Sequence, residues 1–108
     1  MNYFSANYKL VVFIPKSHLE KVRQAICEAG AGQIGNYDYC TFVTEGVGSY
    51  RPLKGTKPFK GQTGKIEKAK EARFETLVPQ KKLKKIIKAM LKAHPYEEVA
   101  YDVYPLIG

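Results

Sequence analysis

The sequence has little of what metal and redox chemistry require. Its two cysteines, Cys27 and Cys40, lie 13 residues apart with no Cys-x-x-Cys pair, which excludes a zinc knuckle or dithiol motif and leaves two reduced, partly buried thiols as the expectation. Its two histidines, His18 and His94, stand in neither a His-His nor a His-Glu-x-x-His spacing, so no metal ligand and no catalytic residue is assigned and no cofactor is expected. No apolar run approaches the roughly 20 residues that cross a bilayer. The opening MNYFSANYK lacks the apolar core of a signal peptide, so the expected location is the cytoplasm, with no membrane partner. Acids are missing from two stretches. Arg51, Lys54, Lys57, Lys60 and Lys65 form the first, and the six lysines from Lys81 to Lys92 the second, within a net charge of +8. Such an excess can attract nucleic acid, anionic ligands or acidic partners. The aromatic-basic signature of RNA-recognition sheets is absent, and the basic loop offers only Tyr50 and Phe59 for stacking on bases, which argues against nucleic acid.

What is present is a repeat. At an offset of 64 residues, Ile14-Pro15 aligns with Val78-Pro79, Leu19 with Leu83, Val22 with Ile86, Ala25 with Ala89, Ile26 with Met90 and Tyr37-Asp38 with Tyr101-Asp102, without a gap. A strand-helix-strand unit occurring twice predicts an α+β, ferredoxin-like β-α-β-β-α-β sandwich. Its four-stranded antiparallel sheet carries two helices on one face. With 108 residues, 1–108 is expected to be a single domain.

Each element has a local cause. Tyr8 to Ile14 is a short β-branched and aromatic run, the expected first strand. Ser17 with Glu20 fits a capping box, Leu19, Val22 and Ile26 share one helical face, and Gly30 and Gly32 end that helix. The second strand is expected near Tyr37 to Thr44, and alternation through Ala72, Phe74, Thr76 and Val78 marks the third. Pro79 suits a first helical position, Leu83, Ile86, Ile87, Met90 and Leu91 make the second apolar stripe, and Pro95 closes that helix. Val99 to Tyr104 is the last strand. Helices on one face leave the other bare, and its apolar residues predict a homo-oligomer, a dimer or a trimer. A long glycine-rich and basic loop, 45–65, joins the halves and is the first candidate for ligand contact.

Four stretches carry a family resemblance. They are Gly30-Ala31-Gly32-Gln33-Ile34-Gly35-Asn36-Tyr37-Asp38, Arg51-Pro52-Leu53, Glu75 with Val78-Pro79, and His94-Pro95-Tyr96-Glu97-Glu98-Val99-Ala100-Tyr101-Asp102. Together they resemble the domain inserted in many bacterial members of the Ngg-one-interacting factor three family, the GTP cyclohydrolase I type 2 homologues. In that family the insert is similar to the trimeric CutA-type divalent-cation tolerance proteins and the PII signalling proteins, which assemble through their sheets. The resemblance implies a freestanding version of an accessory module. The family's paired metals sit on histidines and acids of a flanking domain that this sequence does not contain, so that chemistry is not carried over.

The candidate ligand-binding residues are Tyr50, Arg51, Lys54, Lys57, His94, Tyr96 and Glu97. The first four belong to the basic loop, which shares its composition with anion-cradling loops but lacks Gly-x-x-x-x-Gly-Lys-Ser/Thr, and a small anion or a metal ion is the ligand considered. The leading reading is a non-catalytic, oligomeric ligand-binding or regulatory module. The first alternative is a divalent-metal-binding protein or small metal-dependent hydrolase using His94 with Glu97 or Glu98. Against it, a histidine at a helix C-terminus serves as a cap, and adjacent glutamates of a strand face opposite sides. The second alternative is a nucleic-acid-binding protein. His18, in the first helical turn, is expected to be exposed, and Asp38 and Asp102, placed equivalently by the repeat on the second and fourth strands, are expected at the sheet edge in preference to a polar ligand site or an intersubunit pair.

Overall fold

The computed structural model describes residues 4–107. Its elements are β1 (Phe4–Pro15), α1 (Leu19–Glu28), β2 (Thr41–Tyr50), β3 (Glu67–Pro79), α2 (Leu83–Ala93) and β4 (Tyr101–Ile107), all four strands being antiparallel in the order β2-β3-β1-β4. This is the ferredoxin-like sandwich. Leu10, Val12 and Ile14 of β1 and Phe74 and Val78 of β3 point to one face, where Val22 and Ile26 of α1 and Ile86 and Met90 of α2 close over them; all nine are fully buried. β1 and β3 form the central pair, with Val12 opposite Phe74, so the bulkiest core residue sits at the middle of the sheet.

The repeat holds in detail through the first three pieces of each half. β1 ends at Pro15 and β3 at Pro79; each is followed by one 3-10 turn, Lys16–His18 and Gln80–Lys82, and then by a helix beginning at Leu19 or Leu83. Both prolines therefore end strands, with ψ near 139° and 134°, and Pro79 is not the first residue of a helix. The 3-10 turn also displaces the expected capping box. His18 holds the N-cap position of α1, Ser17 Oγ lies 2.9 Å from His18 Nδ1, and Glu20 pairs with Arg23 at 2.7 Å. His18 is half-buried rather than exposed. On α2, Leu91 leaves the apolar stripe and is 43% exposed.

The halves diverge after their helices. Gly30 and Gly32 do end α1, with φ of 116° and 78°, but the chain then turns again at Gly35 and at Tyr39, whose φ of 53° is rare for a residue with a side chain. Tyr39 is held there by its hydroxyl, which donates to Glu28 Oε1 at 2.8 Å. A left-handed residue cannot continue a ladder, so β2 starts at Thr41 and not near Tyr37, and Asp38 lies in the irregular stretch before β2 while Asp102 lies on β4. The loop expected over 45–65 is shorter for the same reason: 45–50 belong to β2, paired without a register break to β3, and only 51–66 are left to connect them.

Burial changes sides along this hairpin. From Ala72 to Val78 the buried residues of β3 are the even-numbered ones, beneath the helices, whereas nearer its start Ala69 is buried and Glu67 and Glu71 half-buried. β2 makes the same switch, from Thr41 and Val43 to Gly48 and Tyr50. Successive side chains of a strand face opposite ways. The hairpin thus buries its inner half against the helices and its outer half on the opposite face, beneath the returning loop.

Gly32 is the tightest point of the crossover: its N–H donates to Leu77 O and its carbonyl accepts from Cys40 N–H, both at 2.8 Å, and a Cβ there would lie 3.0 Å from Cys40 N. Gly32→Ala is expected to cost on the order of 2 kcal/mol or more in urea unfolding, against about 1 kcal/mol for Gly35→Ala, which has a similar φ but open space around it. Equal losses would show that the close approach is not what selects glycine at 32.

Candidate ligand-binding cleft

The site begins where α2 stops. Pro95 bars its predecessor from helical geometry, so His94 is extended, with φ −74° and ψ 136°. Its imidazole then points at the sheet instead of at its own helix. Nε2 lies 2.7 Å from the Phe13 carbonyl and Nδ1 accepts the Tyr96 N–H at 3.2 Å. A carbonyl only accepts and an amide only donates, so these partners assign the proton to Nε2 and leave neither ring nitrogen free. The ring is 6% exposed, and its burial holds its pKa below the ordinary 6.5 against the opposing pull of the Phe13 carbonyl and the Glu71 carboxylate. His94 is a neutral staple between the end of α2 and β1.

Tyr96, two residues on, lies over the open face. Its ring packs 4.9 Å from that of His94, and its hydroxyl donates to Glu71 Oε2 at 2.8 Å. Burial, and then this carboxylate, push the phenol well above its usual value. Glu71 has room because β2 carries glycine at 48: a Cβ there would collide with the Glu71 carboxylate. The loop closes from the other side. Tyr50 donates its hydroxyl to Lys60 O at 2.7 Å, Glu97 Oε1 accepts the Lys57 N–H at 2.8 Å, and Phe59 packs its ring 6.1 Å from Tyr96 and 5.3 Å, edge-on, from His18. Between loop and sheet lies a cleft of about 360 Å³. Phe13, Tyr50, Phe59 and Tyr96 supply aromatic walls, Pro52 and Pro58 the aliphatic ones, and Arg51, Glu71, Glu97 and Glu98 the charges.

Of the seven residues proposed from the sequence, Tyr50, Arg51, Tyr96 and Glu97 line this cleft. His94 lies beneath Tyr96, outside the lining; Lys54 does not reach it, and Lys57 contributes only its backbone N–H, to Glu97. Glu97 and Glu98 were expected to face opposite sides of a strand. They precede β4, which starts at Tyr101, and both line the one cleft. Sequence reasoning missed Phe13 and Glu71, whose relation to the loop comes from strand pairing, Pro15 and Gly46 both lying opposite Glu71. The available signal was Gly46 and Gly48, since glycine inside a strand marks close approach by another group. Among the described residues no three His, Cys, Asp or Glu side chains gather closely enough to hold a metal ion.

No protein-family model matches the chain. It is 53% identical, over 98 residues, to the GTP cyclohydrolase 1 type 2 homolog of Bacillus subtilis; the match takes in 91% of this chain and 26% of that relative. The chain is homologous to a segment of the GTP cyclohydrolase 1 type 2 homologues. It spans about a quarter of the length of these curated relatives. A solved structure agrees: the Bacillus cereus protein related to NIF3 superposes with a TM-score of 0.82 at 50% identity, over 99% of this chain and 28% of that one. The same fold appears in the CutA1 of Shewanella sp. SIB1, with a TM-score of 0.69 at 16% identity over 98% of this chain and 86% of that one, a likeness of fold alone. The homologous segment of the GTP cyclohydrolase 1 type 2 homologues thus takes in both the His94 staple and the loop that it faces.

The staple has a pH signature. His94 prefers to be neutral when folded, so the unfolded chain binds the extra proton more readily; stability is complete above about pH 6.5 and declines as the pH falls through the window between that value and the lower folded one. Urea midpoints measured from about pH 7.5 to 5.5 are expected to fall for the natural chain, and His94→Gln should lack that component of the slope. Parallel slopes for the two would place His94 in solvent contact.

Proposed function

We propose that this chain forms one non-catalytic domain over residues 1–108 that binds a small ligand in the cleft between its 51–66 loop and the His94–Glu98 corner, and that it works as a homo-oligomer in the cytoplasm. The observation that carries the binding half is the cleft itself. About 360 Å³ lies within the range of small-molecule sites. It is mostly apolar with a few charged groups at its rim, and its walls are pinned by hydrogen bonds from three separate segments. Binding is favoured over turnover because no imidazole lines the cleft: both His94 nitrogens are engaged, so it cannot shuttle a proton or ligate a metal without dismantling the staple, and His18 reaches only the ring of Phe59. The relatives' name carries a cyclohydrolase label, and in this reading the present segment contributes recognition to such proteins and not chemistry.

Assembly is supported by the open sheet face away from the cleft. Phe42 on β2 is 67% exposed and Tyr104 on β4 is 46% exposed, and both belong to the face that the helices do not cover. Apolar side chains spread over a flat sheet surface fit a second copy of the same surface. No helix of the described residues is long and apolar enough to cross a membrane.

Two measurements test the two halves separately. A thermal-shift screen of metabolites, nucleotides and ions should find a compound that raises Tm by a few degrees at saturation. Arg51→Ala and Glu98→Ala, both at exposed positions of the rim, should change that shift, in opposite directions for a charged ligand; a hit indifferent to both would move the site elsewhere. Light scattering at micromolar concentration should give a dimer or trimer, and Phe42→Asp should shift it toward monomer while the chain stays folded by circular dichroism. A natural chain that is strictly monomeric would remove the assembly half and leave the cleft standing.

A further inference from the structure

We propose that the cleft of about 360 Å³ is built for a small organic cation, an alkylammonium or guanidinium group on a short apolar stem. This deepens the binding reading above and rests on it. The sequence, with its run of basic residues, points to an anion; the folded chain distributes its charge the other way. Lys54 and Lys57 stay outside the cleft, and three glutamates, Glu71, Glu97 and Glu98, line it against the single guanidinium of Arg51.

Six of the ten acids stand outside the ion pairs among the described residues; Glu28, Asp38 and Asp102 lie elsewhere, and the cleft gathers the other three. The chain has eighteen Lys and Arg residues for ten acids, and cations lie close to Glu20, Glu45, Glu67 and Glu75 in ion pairs of 2.7 to 3.7 Å. None of the ion pairs among the described residues includes Glu71, Glu97 or Glu98. Glu71 is the most telling, being half-buried, with one oxygen taking the Tyr96 hydroxyl and the other resting over Gly48. A carboxylate withdrawn from water beside apolar walls favours a cation in the same space. Its negative field is felt around the cleft, where it helps to raise Tyr50 and Tyr96 and opposes the lowering of His94.

The walls select the kind of cation. An aromatic ring attracts a positive group placed over its face within about 6 Å, and does so best for weakly hydrated organic cations. Phe13 already holds one: the Arg73 guanidinium carbon lies 6.0 Å from its ring centre. Tyr96 is tilted by 58° against Tyr50 and by 47° against Phe59, with centres about 6 Å apart, and by 60° against His94, so none of these rings is stacked flat on another, and Tyr50, Phe59 and Tyr96 all line the cleft. A hard divalent ion fits poorly, since it demands several oxygens, while one oxygen each of Glu71 and Glu97 already accepts a hydrogen bond. Three carboxylates and three aromatic rings lining a small volume suit an organic ammonium or guanidinium.

The test uses amide NMR spectra of the full, isotope-labelled chain near pH 7. Butylguanidinium and butylammonium chloride are titrated alongside N-butylacetamide, a neutral compound of similar shape, and inorganic phosphate. The cations are expected to move the amides of Tyr50, Tyr96, Glu97 and Glu98 saturably, with the neutral compound at least about tenfold weaker. Glu71→Gln keeps an acceptor for the Tyr96 hydroxyl and removes only charge; Glu98→Gln alters an exposed side chain. Each should weaken cation binding by roughly 3- to 10-fold, with the remaining amides unmoved. If N-butylacetamide or phosphate takes the cleft as well as the cations do, or if neither variant weakens them, the cationic inference is overturned while the binding reading survives. If neither these probes nor any stabilising compound from the thermal screen moves the cleft amides, both fall together.

Discussion

Strand β3 has to bury both of its faces, because a strand long enough to join two layers presents alternate side chains to opposite sides, and the rest of the molecule is arranged to satisfy it. From Ala72 to Val78 the helices cover one face; around Ala69 and Glu71 the loop covers the other. Neither cover would suffice alone. The helices are about three turns each, too short to reach the outer half of the hairpin, and the 51–66 loop has no apolar core of its own to pack on. The second, smaller packing site on the open sheet face is what turns a symmetrical scaffold into one with a cleft.

That cleft is held by a polar chain that runs through the protein without a break. The Phe13 carbonyl, the His94 ring, the Tyr96 backbone and hydroxyl, and the Glu71 carboxylate connect β1 to the end of α2 and back to β3. Each link is satisfied, and a fully satisfied buried network fixes geometry more than it adds stability. The same satisfaction removes His94 from chemistry. A residue type that suggests acid-base work serves here to hold an aromatic wall in place.

The repeat explains why this corner is where it is. Strand, 3-10 turn and helix correspond at an offset of 64 residues, from Pro15 and Pro79 to Leu19 and Leu83, since these pieces meet the same demands in each half: an apolar strand face above, an apolar helix stripe below. After the helices the same demand, to reach an edge strand past one central strand, is met differently. The first half uses Gly30, Gly32 and the left-handed Tyr39 to reach β2 beside β3, whereas the second uses Pro95 on the way to β4 beside β1. His94 has no counterpart in the first half because the carbonyl equivalent to that of Phe13, at Leu77, is taken by the Gly32 N–H.

How much of this was legible beforehand follows from the range of the forces involved. The sequence by itself determined the two β-α-β halves, the core stripes through Val22, Ile26, Ile86 and Met90, the glycine ends of α1 and the stop at Pro95, because periodicity and backbone preference act over a few residues. It also carried a family resemblance that the homologous segment of the GTP cyclohydrolase 1 type 2 homologues bears out. It misled over the start of β2 and over Glu97 and Glu98, where turn geometry overrode alternation. Only the tertiary structure decided that Glu71 and Phe13 stand with Tyr50 and Tyr96 around one cavity, and that the lysines of the loop stand outside it. Strand register and loop closure bring together residues more than 80 positions apart, and the sign of the charge inside a cavity depends on which side chains they turn inward, not on how many the chain contains.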